Sequence, residues 1–270
     1  MTTAHSSWAE FYDAVYERSF GEFYSQLTNV TIGQIKNCVQ PPARIIDFGA
    51  GTGRLSIPLA SGGYEVVAVD SCKQMLDQLS GKQGGERVTT VVGRMQDFLS
   101  VDKFEMAICV FTVLLYLLDE ESLERSIQAA ADALRPGGLL LIDIPSRRVF
   151  QNYHRRTPEM NRSVIVLPQG GDLYRYEEAT TVNPCGSAFS YSDKFSIRYW
   201  EVEHVMKILA NHGLSMVRHL TEAFSETGSQ YFLMKKGNGP EGGVAEIDRG
   251  EVNLIPGEKE LQKIREKHQR

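Results

Sequence analysis

The sequence predicts an α/β protein: a doubly wound, mostly parallel seven-stranded sheet carrying an antiparallel cap insertion. Three observations predict it. Short apolar runs without in/out alternation recur between residues 44 and 144, as strands buried on both faces require. Helical stretches separate these runs, which is the pattern of βαβ crossovers in a parallel sheet. After Pro145 the chain turns to alternating, aromatic-rich segments joined by turn residues, which suits an antiparallel insertion.

In chain order, residues 1–37 read as N-terminal lid helices. Trp8, Phe11, Tyr12 and Val15 form the apolar stripe of a helix running from Trp8 to Tyr24. Residues 38–145 and 201–236 read as the core. Its strands are Arg44 to Phe48, Val66 to Asp70, Val88 to Val92, Met106 to Phe111 and Gly138 to Ile144. Helices are expected over Arg54 to Ala60, Lys73 to Leu79 and Glu121 to Leu134, the last stopped by Pro136-Gly137-Gly138. Residues 146–200 read as the cap, with Gly170-Gly171 and Asn183-Pro184-Cys185-Gly186 as turns. Helix returns over Glu201 to Asn211, followed by strands Leu214 to Leu220 and Gln230 to Lys235. Residues 237–270 have the glycine-rich then charged composition of a flexible linker and tail, expected to be dispensable for folding.

Composition narrows the function classes. An apolar fraction of 42% and a charged fraction of 23% over 270 residues describe a globular chain able to bury a core. A net charge of −5 gives no basic surface for a phosphate backbone, so no nucleic-acid partner is expected. Cysteines 38, 72, 109 and 185 form no C-x-x-C pair, so neither a metal site nor a disulfide framework is expected. The apolar run from Ala107 to Leu118 falls short of the ~20 residues of a membrane span. No membrane partner and a cytoplasmic location are the expectation.

The chemistry concentrates in Asp47-Phe48-Gly49-Ala50-Gly51-Thr52-Gly53, between the first strand and the next helix. Glycines there let the backbone turn tightly and approach a ligand. Arg54 stands where a dinucleotide fingerprint has its third glycine, which places a dehydrogenase behind other readings. Asp70 closes the second strand, nineteen positions after Gly51, where a carboxylate can accept both hydroxyls of a ribose.

These segments resemble the ordered motifs of the class I S-adenosylmethionine-dependent methyltransferases. Asp47 to Gly53 is similar to their first motif, and Asp70-Ser71-Cys72-Lys73-Gln74-Met75-Leu76 to their second. Gly93 to Phe98, Phe104 to Leu117 and Leu134 to Gly138 resemble the third, fourth and fifth. Tyr12-Asp13-Ala14-Val15-Tyr16 is similar to a Tyr-Asp-x-x-Tyr segment of the small-molecule N-methyltransferases. The resemblance implies a Rossmann-like fold and S-adenosylmethionine as cofactor. It implies Gly49, Ala50, Gly51 and Gly53 in the loop against the methionine moiety and Asp47 near its ammonium. Asp70 then holds the ribose, Ser71 or Cys72 packs beside the adenine, and Met75 belongs to the same motif. Met95 covers the adenine, and Phe111 and Thr112 border the sulfonium. The third motif departs from type: Arg94 occupies the place of an acidic adenine contact, leaving Gln96, Asp97 or a backbone carbonyl for that role.

The acceptor side is read from less. Tyr12 and Tyr16 are candidates to line the reaction chamber, and both, with His154 in the cap, are candidate bases for a hydroxyl acceptor. Arg147, Arg148 and Arg198 are candidates to meet an acidic acceptor group, and an exposed cap edge explains them equally well. The expected function is methyl transfer to a nitrogen or oxygen of a small molecule. Two alternatives stand beside it: a protein or RNA methyltransferase, and a non-catalytic, cofactor-binding regulatory module.

Overall fold

The computed structural model describes residues 3–101, 103–183 and 188–238. Cys185 and nearly all of the expected linker and tail lie outside these residues. The chain opens with α1 (Tyr12–Phe20) and α2 (Glu22–Cys38), and continues through β1 (Arg44–Phe48), α3 (Ser56–Ser61), β2 (Glu65–Asp70), α4 (Lys73–Gly81) and β3 (Thr89–Val92). Then come β4 (Phe104–Cys109), α5 (Glu120–Ala133) and β5 (Leu134–Pro145). A four-stranded antiparallel meander follows: β6 (Tyr153–Thr157), β7 (Met160–Gly170), β8 (Leu173–Val182) and β9 (Phe189–Arg198). The chain returns through α6 (Val202–Asn211), β10 (Leu214–His219) and β11 (Ser229–Lys236).

The large sheet has seven strands in the order β10-β11-β5-β4-β1-β2-β3. β11 runs antiparallel to both neighbours, and the pairs from β5 to β3 are parallel. Both faces are apolar because successive residues of each run point to opposite sides. Ile46, Ala107 and Ile142 pack under α5 and α6 on one face, while Ile45, Ile108 and Leu141 pack under α2, α3 and α4 on the other. The strand order reverses between β1 and β4, which opens a crevice at their carboxyl ends.

Three local expectations are corrected. The single helix from Trp8 to Tyr24 is two helices, broken at Gly21, whose φ of 56° lies in the left-handed region. α2 belongs to the core, since Leu27, Val30 and Ile35 bury against the sheet. Leu134 is the first residue of β5 rather than the last of α5, because it pairs beside Phe104. The Pro-Gly-Gly that follows makes a bulge within the strand. A Cβ on Gly138 would stand 2.9 Å from the Arg135 carbonyl oxygen, so this bulge needs glycine.

The cap is tied to the core at its neck. Arg147 reaches Asp172 at 3.1 Å and Glu201 at 3.0 Å, with its guanidinium 3.8 Å from the centre of the Tyr199 ring. Arg198 bonds the Leu118 carbonyl at 3.1 Å and Glu120 at 3.2 Å. Both arginines are engaged in holding the cap, which favours the cap-edge reading of the two over an acceptor contact. Among the described residues, no helix is long and apolar enough to cross a membrane.

Candidate active site

A cavity of about 600 Å³ occupies the crevice beyond β1 and β4, a volume suited to a cofactor with part of a second ligand. The glycine loop forms one wall. Gly49 and Gly51 have φ of 71° and 55°, and a Cβ on Gly49 would come within 2.4 Å of Val113 Cγ2. The Gly49 N–H donates to the Val69 carbonyl at 2.8 Å, which folds the loop back over β2.

Asp70 is fixed at the end of β2 by two backbone donors. The Gly51 N–H bonds Oδ2 and the Cys72 N–H bonds Oδ1, each at 2.8 Å. Burial raises its carboxyl, and these two N–H groups oppose that rise. A carboxylate oxygen accepts two hydrogen bonds, so each oxygen keeps acceptor capacity toward the cavity. Asp47 is buried, accepts from Ser56 Oγ at 2.6 Å, and is pushed up to about 6 by its burial. A cation placed beside it would restore its charged form.

After β4 the chain makes an unusual turn. Phe111 and Thr112 both have φ of 69°, where non-glycine residues cost of order 1–3 kcal/mol. Asp143 of β5, fully buried, holds this turn by accepting the Thr112 N–H at 3.1 and 3.2 Å. Burial pushes its carboxyl up to about 6. Asp143→Ala is expected to destabilise the protein by about 1–3 kcal/mol, because the partly buried Thr112 N–H loses its acceptor. Asp143→Asn retains an acceptor oxygen and should lose less, as denaturant titrations of the two variants will show.

Of the residues expected around a cofactor, Asp47, Gly49, Ala50, Gly51, Asp70, Ser71, Met75, Met95, Gln96, Phe111 and Thr112 all line the cavity. Gly53 does not. Its φ of 84° completes the turn, and a Cβ there would strike Leu79 Cγ at 2.6 Å, so its role is packing. Around the third motif, Arg94 bonds Asp97 at 2.7 Å and Arg125 takes the other Asp97 oxygen at 2.9 Å. Asp97 is thereby turned away, and Gln96 is the side chain of the expected set that lines the cavity.

Tyr12 and Tyr16 line the same cavity, stacked with ring centres 4.3 Å apart, Tyr12 packing beside Cys72 and Met75. Burial pushes the Tyr12 phenol well above its usual value. His154 is not brought to the cavity. It is exposed on β6, and strand alternation gives the inward position to its neighbour Tyr153.

The structure gives Asp13 a role and adds further residues to the expected set. Asp13 accepts from Thr52 Oγ1 at 2.6 Å and pairs with Lys82, clamping α1 to the glycine loop. Its place in the Tyr-Asp-x-x-Tyr segment was the signal for it. Arg54 stacks over Phe111 and Tyr24, 4.8 and 5.4 Å from their ring centres. His5, Tyr116 and Phe195 complete the wall beneath the cap. Behind Tyr16, Arg162 is buried against Glu178, with bonds of 2.9 and 3.1 Å. Its guanidinium lies 5.1 Å from the centre of the Tyr16 ring.

A family described as "Methyltransferase domain" matches residues 45–138, from β1 to the end of the bulge in β5. A protein of Geobacillus sp. (strain WCH70) named as a methyltransferase is 28% identical over 145 residues, covering 53% of this chain and 58% of the relative. The cypemycin N-terminal methyltransferase of a Streptomyces species is 30% identical over 107 residues, 40% of this chain and 44% of the relative. The chain thus spans about half the length of the curated relatives it matches. Among solved structures, an S-adenosylmethionine-dependent methyltransferase from Clostridium acetobutylicum ATCC 824 superposes with a TM-score of 0.73 at 18% identity, over 84% of this chain and 98% of that one. CalS10, an amino pentose methyltransferase from Micromonospora echinaspora, gives 0.66 at 19% identity over 83% and 96%. The fold is the Rossmann-like fold of methyltransferases, with an antiparallel cap.

Proposed function

We propose that this chain is a class I S-adenosylmethionine-dependent methyltransferase that methylates a nitrogen or oxygen of a small molecule. The observation that supports the reading is Asp70, fixed by the Gly51 and Cys72 N–H groups in the wall of the cavity that also contains the glycine loop. S-Adenosylmethionine fits this wall. The loop offers close backbone approach at Gly49 and Gly51, Asp47 offers a buried carboxyl for the ammonium, and Asp70 offers acceptors for the ribose. Met75 and Met95 supply apolar surface for the adenine, with Ser71 and Gln96 as its polar neighbours. Phe111 and Thr112 then border the sulfonium. When bound, the cofactor supplies a methyl group already activated for displacement, so alignment and exclusion of water can supply much of the rate.

The lid up to the end of α1 and the cap, residues 146–200, form the acceptor side in this reading. Its tyrosine-rich enclosure suits a small group better than a folded macromolecule. An amine is favoured by the amino pentose methyltransferase among the structural neighbours. A peptide amine is a second acceptor class, favoured by the cypemycin N-terminal methyltransferase among the relatives. Calorimetry with S-adenosylmethionine and with NAD tests the cofactor, and absence of S-adenosylmethionine binding would remove the reading. A panel of amino sugars, amino acids, short peptides and alcohols, followed by mass increase of one methyl, tests the acceptor.

Tyr12→Phe and Tyr16→Phe keep each ring and remove only its hydroxyl. At least one of them, or its alanine counterpart, is expected to lower turnover while donor affinity stays nearly constant. Full activity in all four variants would reduce these tyrosines to packing.

A further inference from the structure

His5 is held at the cavity in a conformation that local sequence does not favour. Its φ is 67°, in the left-handed region, and its own N–H donates to Asp193 Oδ2 at 2.7 Å. The ring packs edge-on against Trp8, Tyr12, Tyr116 and Phe195, with centroids 5.1–5.9 Å apart. Nε2 lies 2.8 Å from Tyr116 Oη. Nδ1 is buried without a hydrogen-bond partner, 3.8 Å from Asp193 Oδ2. Backbone strain, a buried polar atom and one short bond to a cavity residue together mark a built arrangement.

The polarity of this arrangement follows from its charges. Burial pushes the imidazole down to about 4, against the opposing pull of Asp193 on β9 and Glu178 on β8, while Arg162 on β7 pushes it the same way as burial. The ring is therefore neutral at neutral pH, with one N–H and one acceptor nitrogen. The Asp193 carboxylate beside Nδ1 favours the proton there, which leaves Nε2 to accept. A phenol keeps its proton at neutral pH, so Tyr116, 40% exposed at the cavity, donates that proton to Nε2. The Tyr116 oxygen then turns lone pairs, not a hydrogen, toward the cavity.

Resting on the methyltransferase reading, we propose that the His5–Tyr116 pair receives the N–H or O–H of the acceptor and aims its lone pair at the methyl group. Tyr116 touches the acceptor, and His5 is a positioning residue acting through it. The acceptor class this selects carries a hydrogen on its reacting atom: a primary or secondary amine, or a hydroxyl. A tertiary amine is disfavoured.

Nitrogen-15 spectra of the full chain saturated with S-adenosylhomocysteine test the polarity, with the His5 signals identified by their loss in His5→Gln. The expected result is the Nδ1–H tautomer, with an Nε2 resonance that moves toward that of an unbonded ring nitrogen in Tyr116→Phe. An Nε2–H tautomer would overturn the proposal, because Tyr116 would then present its hydrogen to the cavity. On primary and secondary amines that turn over in the panel, Tyr116→Phe and His5→Leu should each lower kcat/KM by about tenfold, the scale of one hydrogen bond. His5→Gln, which keeps an acceptor oxygen, should retain more activity than His5→Leu, and affinity for S-adenosylhomocysteine should stay within about twofold of wild type. Wild-type kcat/KM in Tyr116→Phe would sink this inference alone, whereas failure of the wild type to bind S-adenosylhomocysteine would sink the methyltransferase reading beneath it.

Discussion

Arg162→Met is expected to destabilise the protein by about 3–5 kcal/mol, the cost of breaking a buried ion pair by removing one partner. Arg162 is 3% exposed and Glu178 fully buried, and they meet through two bonds of 2.9 and 3.1 Å. Glu178 also accepts from Tyr191 at 2.6 Å, Thr180 at 2.9 Å and Tyr176 at 3.1 Å. Without the guanidinium, that carboxylate stays buried with neutral donors only. The loss should extend beyond the cap, because Arg162 Nη1 bonds Ser19 Oγ of α1 at 3.0 Å. Urea unfolding of Arg162→Met, Glu178→Leu and the double variant separates charge from packing. Replacing both partners with apolar residues should recover much of the loss, since no uncompensated charge remains. A double variant as unstable as the sum of the singles would show that packing, not the ion pair, sets the cost.

Asp70→Ala is expected to weaken S-adenosylmethionine binding by roughly a hundredfold or more. A charge-assisted hydrogen bond is worth about 1.5–3 kcal/mol, and two ribose hydroxyls make two of them. The same substitution strips the Gly51 and Cys72 N–H groups of their acceptor, which loosens the glycine loop itself. Asp70→Asn keeps the shape and one acceptor oxygen, so it should fall between wild type and alanine. Calorimetric titration with S-adenosylmethionine, beside a thermal melt of each variant, reads both effects. Unchanged affinity in a folded Asp70→Ala protein would remove Asp70 from the ribose.

The donor side of the cavity was legible in the sequence because its determinants are local. A β-branched run ending in Asp70, and three glycines within five residues, each dictate a backbone shape whatever surrounds them. Burial on both faces of the sheet was equally plain from Ile45-Ile46 and Ala107-Ile108, where neighbouring residues enter opposite layers. What stayed hidden depends on partners distant in the chain. His5 meets Tyr116 and Asp193 across 111 and 188 positions, and Asp143 meets Thr112 across 31. A lone polar residue carries no mark of such a partner, so Arg162 and Glu178, on separate strands, each read like any charged strand residue. His154 failed for the opposite reason: its type suggested chemistry, but alternation along β6 turned it to solvent.

The neck at Arg147, Asp172, Tyr199 and Glu201 bears on how such a chain can diversify. Because one arginine cross-links both strands of the neck, the insertion leaves and rejoins the core at nearly fixed points. Lengthening a segment between fixed ends is cheap in entropy, about 0.6 kcal/mol for each doubling. The β6–β7 and β8–β9 turns of the meander can therefore be lengthened without disturbing β5, α6 or the glycine loop, whereas Arg162, Glu178 and Arg198 within it hold α1 and the core and must stay. Varying those turns and the cavity-facing positions Phe195 and Ser196 is thus a rational route to a new acceptor pocket on an unchanged donor site, provided that Arg147 and its partners Asp172 and Glu201 are kept.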